Sequence, residues 1–520
     1  MIIQTKDRYF LIIIALCFLA LGIPRIFYPD LDHGEDWADA GVLNAAENFA
    51  RYGFLKYRFL PIEGFWNPDK LFVYTHMPPL AHIFYGILRV LFNIKSLYVF
   101  RGVALVFSFF NVFFWYLFIK RFSGSSGFAL LASLFYLTNP FFIYGIDALN
   151  QINPSDVVRS AIFLLFFGMV LAPASQRQRY VKIIWLLFFI GSWLTFEYII
   201  YFFVFFVLFR FFFKEAREAV SWKLIFFLST APILALVMHF LQNAWYFGSL
   251  TLAFQDFKTI GLQRIMSSTD LPMPLTFSNW WKFVLLRNIS LIMMFNSYLL
   301  ISAIAASIFI YLNVLPSYRL LLRRIFVLGI IFFISGITWY VFFPAHSLAH
   351  TFIMYLVHHL LPLAAVSFAI FIYLLYAFIK TQGENLFKVA FVLAATIFIM
   401  VNGVLQSGLP VTRDAINSAK DFLVLKRCLF ELKARLGDRD EIGSNFYRHF
   451  FIAYYLKRSC ILVANKKMLL DLPNPPRFFI FLPYAHLPAQ ELAKAISENY
   501  KILFSCNSRR FPFLIFELRQ

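Results

Sequence analysis

The chain has 520 residues, of which 61% are hydrophobic, 20% are aromatic and only 14% are charged. This composition excludes an ordinary soluble globular protein, in which about a quarter of the residues are charged. The formal net charge of +20 could suggest nucleic acid as a partner, but the basic residues are spread through short segments between hydrophobic runs. We therefore predict a polytopic membrane protein that has no nucleic-acid partner.

Hydrophobic runs recur along residues 1–408, which we predict to be the membrane domain. Spans need about 17–25 mostly apolar residues, and this criterion predicts about eleven of them. We place them at residues 9–27, 97–119, 128–146, 157–172, 183–197, 198–213, 224–243, 295–314, 325–343, 360–378 and 387–405. For the run at 182–213, two short spans turning near Phe196 and Glu197 fit the charges of the flanking loops, and one long tilted helix is the alternative.

Basic residues fall in every second loop between the predicted spans, for example Lys120 with Arg121 and Arg323 with Arg324. Cytoplasmic loops of membrane proteins carry such an excess of Lys and Arg. The loop after the first span, residues 28–96, therefore faces outward, as does the C-terminal segment. We expect a bacterial inner-membrane protein that has these parts on the periplasmic face and membrane lipids as partners.

The first outward loop is strongly acidic, with five carboxylates in ten positions: Asp30, Asp32, Glu35, Asp36 and Asp39. Like charges at this spacing raise one another's pKa, and acids are costly beside hydrocarbon. We therefore predict an active site in this loop, where an acid acts as a general base or binds a cation. Asp36 or Asp39 could instead cap a helix predicted at 40–52. The apolar segment 79–92 is predicted to be an interfacial or re-entrant helix.

A second pair of acids, Asp147 and Asp156, lies in the next outward loop. These acids could face the first cluster. Asp36, Glu35 and Asp156, together with His33 or His76, could then hold a divalent cation through oxygen and nitrogen ligands. The same loop is rich in Asn and Pro, which any tight turn between two helices would use. Both interpretations remain open at this point.

Later segments contain groups that could hold a phosphate: Lys258, Arg264, His346, His350 and His358. His346 and His350 have the i, i+4 spacing that places two side chains on one face of a helix. Structural histidines at a membrane interface are at least as common. Glu197 is a further functional candidate because acids inside a membrane are rarely without a role, although a position at an outward turn would weaken that argument.

From about residue 409 the long hydrophobic runs stop, and residues 409–520 are predicted to form a separate, outward-facing soluble α/β domain. We predict helices at 414–436, 449–458 and 489–500, strands at 441–446, 459–464 and 477–483, and a hairpin from 501–507 and 511–519. No glycine loop for a nucleotide occurs there, and we expect no nucleotide or redox cofactor. A disulfide among Cys428, Cys460 and Cys506 is an open possibility.

The chain resembles the C-type glycosyltransferase superfamily, in particular the branch of the protein mannosyltransferases and the aminoarabinose transferase of lipid A. The similarity rests on an acidic pair before an Ala- and Asn-rich helix, an aromatic-x-x-x-Pro-Pro-Leu element, a later Asp, and a soluble domain after the spans. In this sequence they are Glu35-Asp36, Tyr74 to Leu80 with His76 inside, Asp147 or Asp156, and residues 409–520. Family members commonly have Asp-Glu where this chain has Glu-Asp.

The resemblance implies an all-α polytopic membrane bundle with interfacial helices in the first outward loop, plus a small C-terminal α/β domain. It implies transfer of a sugar, with inversion, from a polyprenyl-phosphate donor to a glycan, lipid or protein acceptor of the cell envelope. Metal dependence varies in the superfamily. The alternatives are a transporter or flippase of lipid-linked saccharides, which would carry charges inside the bundle, and an inactive scaffold.

The resemblance also assigns roles to residues. Asp36 or Glu35 would be the general base, and Asp147 or Asp156 would be the second acid. Tyr74, His76 and the basic residues and histidines of the later segments would bind the donor and hold its phosphate.

Overall fold

A computed structural model describes residues 5–27, 36–63, 73–266, 274–286, 316–349, 358–381, 386–437, 440–445, 449–463, 465–482, 489–507 and 512–519. Most of these residues are helical, and a small sheet lies near the C-terminus. The predicted fold class, a helical membrane bundle with a small C-terminal α/β module, is thereby confirmed.

The helices before the sheet are α1 (Thr5–Ile26), α2 (Asp36–Tyr52), α3 (Leu80–Leu91), α4 (Leu97–Ser123), α5 (Ser126–Leu137), α6 (Pro140–Gly145), α7 (Ile152–Leu171), α8 (Ala174–Leu194), α9 (Glu197–Phe212), α10 (Lys214–Ala219), α11 (Trp222–Phe247), α12 (Leu250–Ile265), α13 (Phe277–Asn279), α14 (Pro316–Phe342), α15 (Pro344–Ala349), α16 (Leu361–Thr381) and α17 (Leu386–Lys433). A π-helix, Trp280–Leu286, follows α13 directly.

Within the described residues, six helices are long and apolar enough to cross a membrane. These helical stretches are Thr5–Arg25, Leu97–Ser123, Ile152–Leu171, Trp222–Phe247, Leu322–Phe342 and His358–Tyr376. The chain is therefore an integral membrane protein. The number of about eleven spans stays a prediction. The span predicted at 295–314 lies outside the described residues.

The predicted span at 128–146 is not one continuous helix. It consists of α5 and α6, which are separated at Thr138 and Asn139. Pro140 begins α6, where its missing N–H costs nothing, and the Asn139 side chain accepts a hydrogen bond from the Phe141 N–H at 3.0 Å. The run at 182–213 is two helices, α8 and α9, as predicted.

Two further boundaries differ from the prediction. The last predicted span and the helix predicted at 414–436 are one helix, α17. Helix α2 begins at Asp36 rather than at residue 40, so Asp39 lies in its first turn and is buried. The predicted interfacial segment 79–92 forms α3, a short apolar helix.

The chain divides into two compact units. The first unit comprises Met1–Phe27, His76–Pro78 and Arg101–Thr412, and the second comprises Tyr28–Thr75, Pro79–Phe100 and Arg413–Gln520. The predicted boundary at 408/409 stays a prediction.

Phenylalanine rings fill the core of the first unit. Phe163 of α7 lies 4.8 Å from Phe205 of α9 and 5.2 Å from Phe332 of α14, measured between ring centroids. Phe118 of α4 is 5.4 Å from Phe163. All four rings are fully buried, so these helices are joined by aromatic packing.

In the second unit, α2 packs against α3 at a point where only a glycine fits. A Cβ atom on Gly86 would lie 2.6 Å from the Phe49 ring. Glu47 of α2 binds Arg89 of α3, with its Oε1 2.9 Å from the guanidinium Nε. The α2 side chains Asn44 and Asn48 also donate to backbone carbonyls of the segment at 62–63.

The C-terminal part of the second unit is the predicted α/β module. Its strands are β1 (Ile442–Ser444), β2 (Cys460–Leu462), β3 (Phe478–Phe481), β4 (Tyr500–Asn507) and β5 (Pro512–Leu518), and its helices are α18 (His449–Leu456), α19 (Lys466–Leu470) and α20 (Ala489–Asn499). The strand order is β2-β1-β3-β5-β4, parallel between β2, β1 and β3 and antiparallel at the other two pairings. The predicted strands, the helices predicted at 449–458 and 489–500, and the antiparallel pairing of the last two strands are confirmed.

A disulfide links Cys428 near the end of α17 to Cys506 of β4. The described free cysteines are Cys17 and Cys460. The sequence did not decide whether two of Cys428, Cys460 and Cys506 form a disulfide, and the structure identifies Cys428 and Cys506 as the bonded pair.

Candidate functional site

The second predicted acid, Asp156, lies inside a helix rather than in a loop. The turn before α7 is closed by Asn150, whose side chain accepts the Ile152 N–H at 3.0 Å, and by Asn153, which donates to the Ala148 carbonyl at 2.8 Å. Helix α7 thus begins at Ile152, and Asp156 follows one turn later with 3% of its surface exposed. The prediction of a loop position for Asp156 was wrong.

Three donors converge on one oxygen of Asp156. His358 Nδ1 lies 2.7 Å from Oδ1, the Tyr198 hydroxyl donates at 3.1 Å, and Arg159 Nη2 is 3.1 Å away. Asp156 and His358 were identified from the sequence as separate candidates, and a hydrogen bond between them was not predicted. The structure thus brings one predicted acid and one predicted phosphate ligand together.

Arg159 connects this carboxylate to its surroundings. Its Nη1 donates to the His358 carbonyl at 3.0 Å, and its Nη2 donates to the Tyr136 hydroxyl at 2.8 Å. Asn111 donates to the same hydroxyl at 3.1 Å and accepts from Ser160 at 2.6 Å. The guanidinium is fully buried, so this network supplies the partners that water would otherwise give it.

A second acid–histidine pair lies beside the first. Glu197 is the first residue of α9, after the break from α8, and its Oε2 is 2.6 Å from His359 Nε2. The rings of His358 and His359 are 4.3 Å apart. Asp156, Arg159, Glu197, Tyr198, His358 and His359 form what we call the buried polar cluster. All six are at most 4% exposed.

The cluster answers the open question about Glu197. This acid lies at the turn between α8 and α9, yet it is buried and bound to a histidine. Two adjacent histidines in an apolar run were the available signal in the sequence, but their partners are 202 and 162 residues away along the chain.

The other predicted acid, Asp147, is enclosed between two arginines. Its Oδ1 accepts from Arg25 Nε at 3.0 Å, and Arg101 donates to its backbone carbonyl at 2.9 Å. All three side chains are buried. These contacts give Asp147 a structural role, and a catalytic role for it stays a prediction.

Two of the predicted phosphate ligands meet in the first unit. Arg264 of α12 donates from Nη2 to the His76 carbonyl at 2.8 Å. The His76 Nε2 is 3.9 Å from Asp256 Oδ1, and 40% of this histidine side chain is exposed. An arginine and a histidine are therefore side by side, with the imidazole accessible to a ligand.

The remaining predicted residues are not brought together by the described contacts. Lys258 lies on α12, and the Tyr74 N–H donates to the Pro61 carbonyl at 2.9 Å. His346 of α15 accepts from Trp339 Nε1 at 3.1 Å. Glu35, His350 and the Asp36 side chain lie outside the described part of the structure.

One group of described residues could hold a metal ion: Glu197, His358 and His359. The ligand atoms of these three residues lie within 4.8 Å of one another. This set differs from the predicted ligands Asp36, Glu35 and Asp156. The Asp156 carboxylate is bonded to His358, Arg159 and Tyr198 instead.

Comparison with solved structures gives matches along almost the whole chain. ArnT from Cupriavidus metallidurans, solved with undecaprenyl phosphate, has a TM-score of 0.55 and 13% sequence identity, covering 96% of this chain and 97% of ArnT. AglB, an archaeal oligosaccharyltransferase from Archaeoglobus fulgidus solved with an inhibitory peptide and a dolichol-phosphate, has a TM-score of 0.52 and 13% identity, covering 99% of this chain and 74% of AglB.

This chain therefore shares its fold with ArnT and AglB, and the predicted resemblance to the C-type glycosyltransferases is confirmed at the level of fold. ArnT, the aminoarabinose transferase, is similar to this chain over nearly the full length of both proteins. Neither the comparison with protein-family models nor that with curated proteins finds a match.

Proposed function

We propose that this protein is a glycosyltransferase that moves a sugar from a polyprenyl-phosphate donor to an acceptor at the outer face of the membrane. The observation that carries the proposal is the whole-chain match to ArnT, which was solved with undecaprenyl phosphate. AglB, a further match, was solved with a dolichol-phosphate. Both neighbours thus bind a lipid phosphate, and the same class of donor suits this chain.

In this proposal, the first-loop acids start the reaction. Asp36 or Glu35 removes a proton from the acceptor hydroxyl, which then attacks the anomeric carbon as the phosphate leaves. A carboxylate can act as general base if it lies within hydrogen-bond reach of that hydroxyl. The reaction needs one displacement and no covalent sugar intermediate, so the anomeric configuration inverts. A divalent cation held by Asp36 and Glu35 would stabilise the leaving phosphate.

The leaving phosphate is held by Arg264 and His76. The guanidinium is fixed on the His76 carbonyl, which places one permanent and one titratable cationic group together. Lys258 lies on the same helix as Arg264 and would add charge. Asp147 or Asp156 would act as the second acid, through electrostatic positioning rather than direct proton transfer, because both are buried.

We place the site on the periplasmic face of a bacterial inner membrane. The Cys428–Cys506 disulfide supports this location for the C-terminal module, because disulfides persist in oxidising compartments. The acceptor is a glycan, a lipid or a protein of the cell envelope. A protein acceptor is compatible with the fold, since AglB was solved with an inhibitory peptide.

The test is a transfer assay with the purified full-length protein. A panel of radiolabelled polyprenyl-phosphate sugars is supplied together with cell-envelope extract, and labelled product is counted. We expect transfer by the wild type and a loss of about 10²-fold or more in Asp36→Asn or Glu35→Gln, the scale of general-base catalysis. Product of inverted anomeric configuration is expected from the active donor.

Asp30→Asn is the matched control, because it removes an acid from the same loop outside the Glu35-Asp36 pair. Full activity in both Asp36→Asn and Glu35→Gln would place the base elsewhere. No transfer from any donor by the wild type would contradict the proposal itself. An EDTA arm decides whether the reaction needs a divalent cation.

A further inference from the structure

The buried polar cluster contains more acid than permanent cation. Asp156 and Glu197 are both buried, and the described residues that contact them include one arginine, Arg159. A buried charge is costly unless a partner compensates it. A cation bound beside the two carboxylates would supply such a partner.

The arrangement of the histidines suits a cation. The Asp156 carboxylate holds His358 Nδ1 at 2.7 Å, so Nε2 is the ring nitrogen that would bind a metal. A carboxylate on the far nitrogen is the usual companion of a metal-bound histidine, because it fixes the tautomer and ring orientation. Arg159 also holds His358 in place, because its Nη1 donates a hydrogen bond to the His358 backbone carbonyl at 3.0 Å. His358 is thus oriented from two sides.

His359 and Glu197 supply the other two ligands. The 2.6 Å between Nε2 and Oε2 would have to open to about 3.3 Å, the separation of two tetrahedral ligands that each lie about 2.0–2.1 Å from a zinc ion. The Tyr201 ring lies beside His359, with centroids 5.7 Å apart. Its buried hydroxyl has no hydrogen-bond partner among the described residues.

We propose that Glu197, His358 and His359 bind one transition-metal ion inside the membrane domain, and that zinc is the ion that fits this set. Two imidazoles and a carboxylate are ligands that Zn²⁺ accepts in a four-coordinate site, with a water or a hydroxyl as the fourth. The ion would join the start of α9 to the turn before α16. The proposal does not depend on the identity of the donor or acceptor.

The test measures metal in the purified full-length protein, prepared without chelators and with zinc in the growth medium. We expect mass spectrometry to find about one zinc ion per chain in the wild type, as for a site with three protein ligands. Glu197→Gln and His359→Gln should each lose at least nine-tenths of it. His82→Gln is the matched control, because His82 is buried and lies 3.1 Å from Glu63 but is not in the metal group found among the described residues.

A second measurement tests the proposal even if the Gln variants fail to fold. Wild-type protein is stripped with EDTA and reloaded with Co²⁺, and its visible spectrum is compared with that of His359→Cys, which keeps a metal ligand. Absorption bands of a four-coordinate site that shift in His359→Cys support the proposal. A wild type that holds no metal before or after reloading would overturn the proposal. Full zinc retention in both Gln variants would also overturn it.

Discussion

The acidic side chains of this protein differ in their hydrogen-bond and ion-pair partners. Asp147 accepts from Arg25, and Asp156 and Glu197 each face a histidine. Glu47 of α2 lies between two cations, with Arg89 Nε at 2.9 Å and Lys457 Nζ at 3.5 Å. Asp36 and Glu35 remain the acids predicted to carry out chemistry.

Burial raises the pKa of Glu47, but the hydrogen bond from Arg89 and the charges of Lys457 and Arg89 outweigh it and hold this pKa below its ordinary value of 4.5. A lowered carboxyl pKa means that the ionised form stabilises the fold above pH 4.5, and that this stability is lost as the pH falls through the folded-state pKa. Burial also lowers the pKa of Lys457 to about 8, against the opposing effect of Glu47.

We predict that Glu47→Gln destabilises the second unit at pH 7 by about 1.5–3 kcal/mol, the range for hydrogen bonds to charged groups. The difference from wild type should shrink as the pH falls below 4.5. Hydrogen–deuterium exchange of α2 and α3 in the full-length protein measures both effects. Glu517→Gln is the control, because its partners Arg477 and Lys501 are exposed and such pairs contribute about 0–1 kcal/mol. A pH-independent difference would contradict the ion-pair assignment.

Helices and strands with a simple periodic pattern could be predicted from the sequence. Helix boundaries that depend on one or two residues could not. The strands of the C-terminal module follow from short runs of apolar residues between turn residues, and all five are present. The run at 128–146 is mostly apolar, so its mean hydropathy did not show that Asn139 and Pro140 divide it. The buried polar cluster escaped prediction because its pairs form between distant segments, which no local pattern encodes.

The packing of α2 on α3 allows the steric cost of a side chain at Gly86 to be compared with the higher helix propensity of alanine. Alanine favours a helix over glycine by about 1 kcal/mol, yet the added Cβ at Gly86 would lie 2.6 Å from the Phe49 ring. We therefore expect Gly86→Ala to destabilise the protein by about 1–3 kcal/mol, the cost of overpacking. Thermal unfolding of the purified protein in detergent measures this change.

Gly102 of α4 is the matched control for this test. A Cβ there would meet no atom within 4 Å, so Gly102→Ala should be neutral or stabilising by about 1 kcal/mol. Equal effects of the two substitutions would mean that the contact with Phe49 does not limit α2–α3 packing.

For the molecule as a whole, the disulfide allows the proposed cellular compartment to be tested, because disulfides persist in oxidising compartments. The chain has four cysteines. Two of them, Cys428 and Cys506, are bonded, and Cys17 and Cys460 are free. We predict that denatured protein extracted from membranes reacts with a thiol-directed polymer reagent at two cysteines before reduction and at four after it.

Cys428→Ser is the control for this count. It should give three reactive thiols with and without reductant, because Cys506 then has no partner. Four reactive thiols in unreduced wild type would contradict an oxidised C-terminal module and, with it, the periplasmic location that we propose.

Arg159 has a consequence for motion. Its guanidinium joins α7 to the Tyr136 hydroxyl of α5 and to the His358 carbonyl before α16, and all these groups are buried. Sliding any of these segments past another would leave a guanidinium without acceptors in a medium that cannot hydrate it. Helices α5 and α7 and the start of α16 should therefore move as one rigid body. Conformational changes of the membrane domain must take place in other segments of the protein.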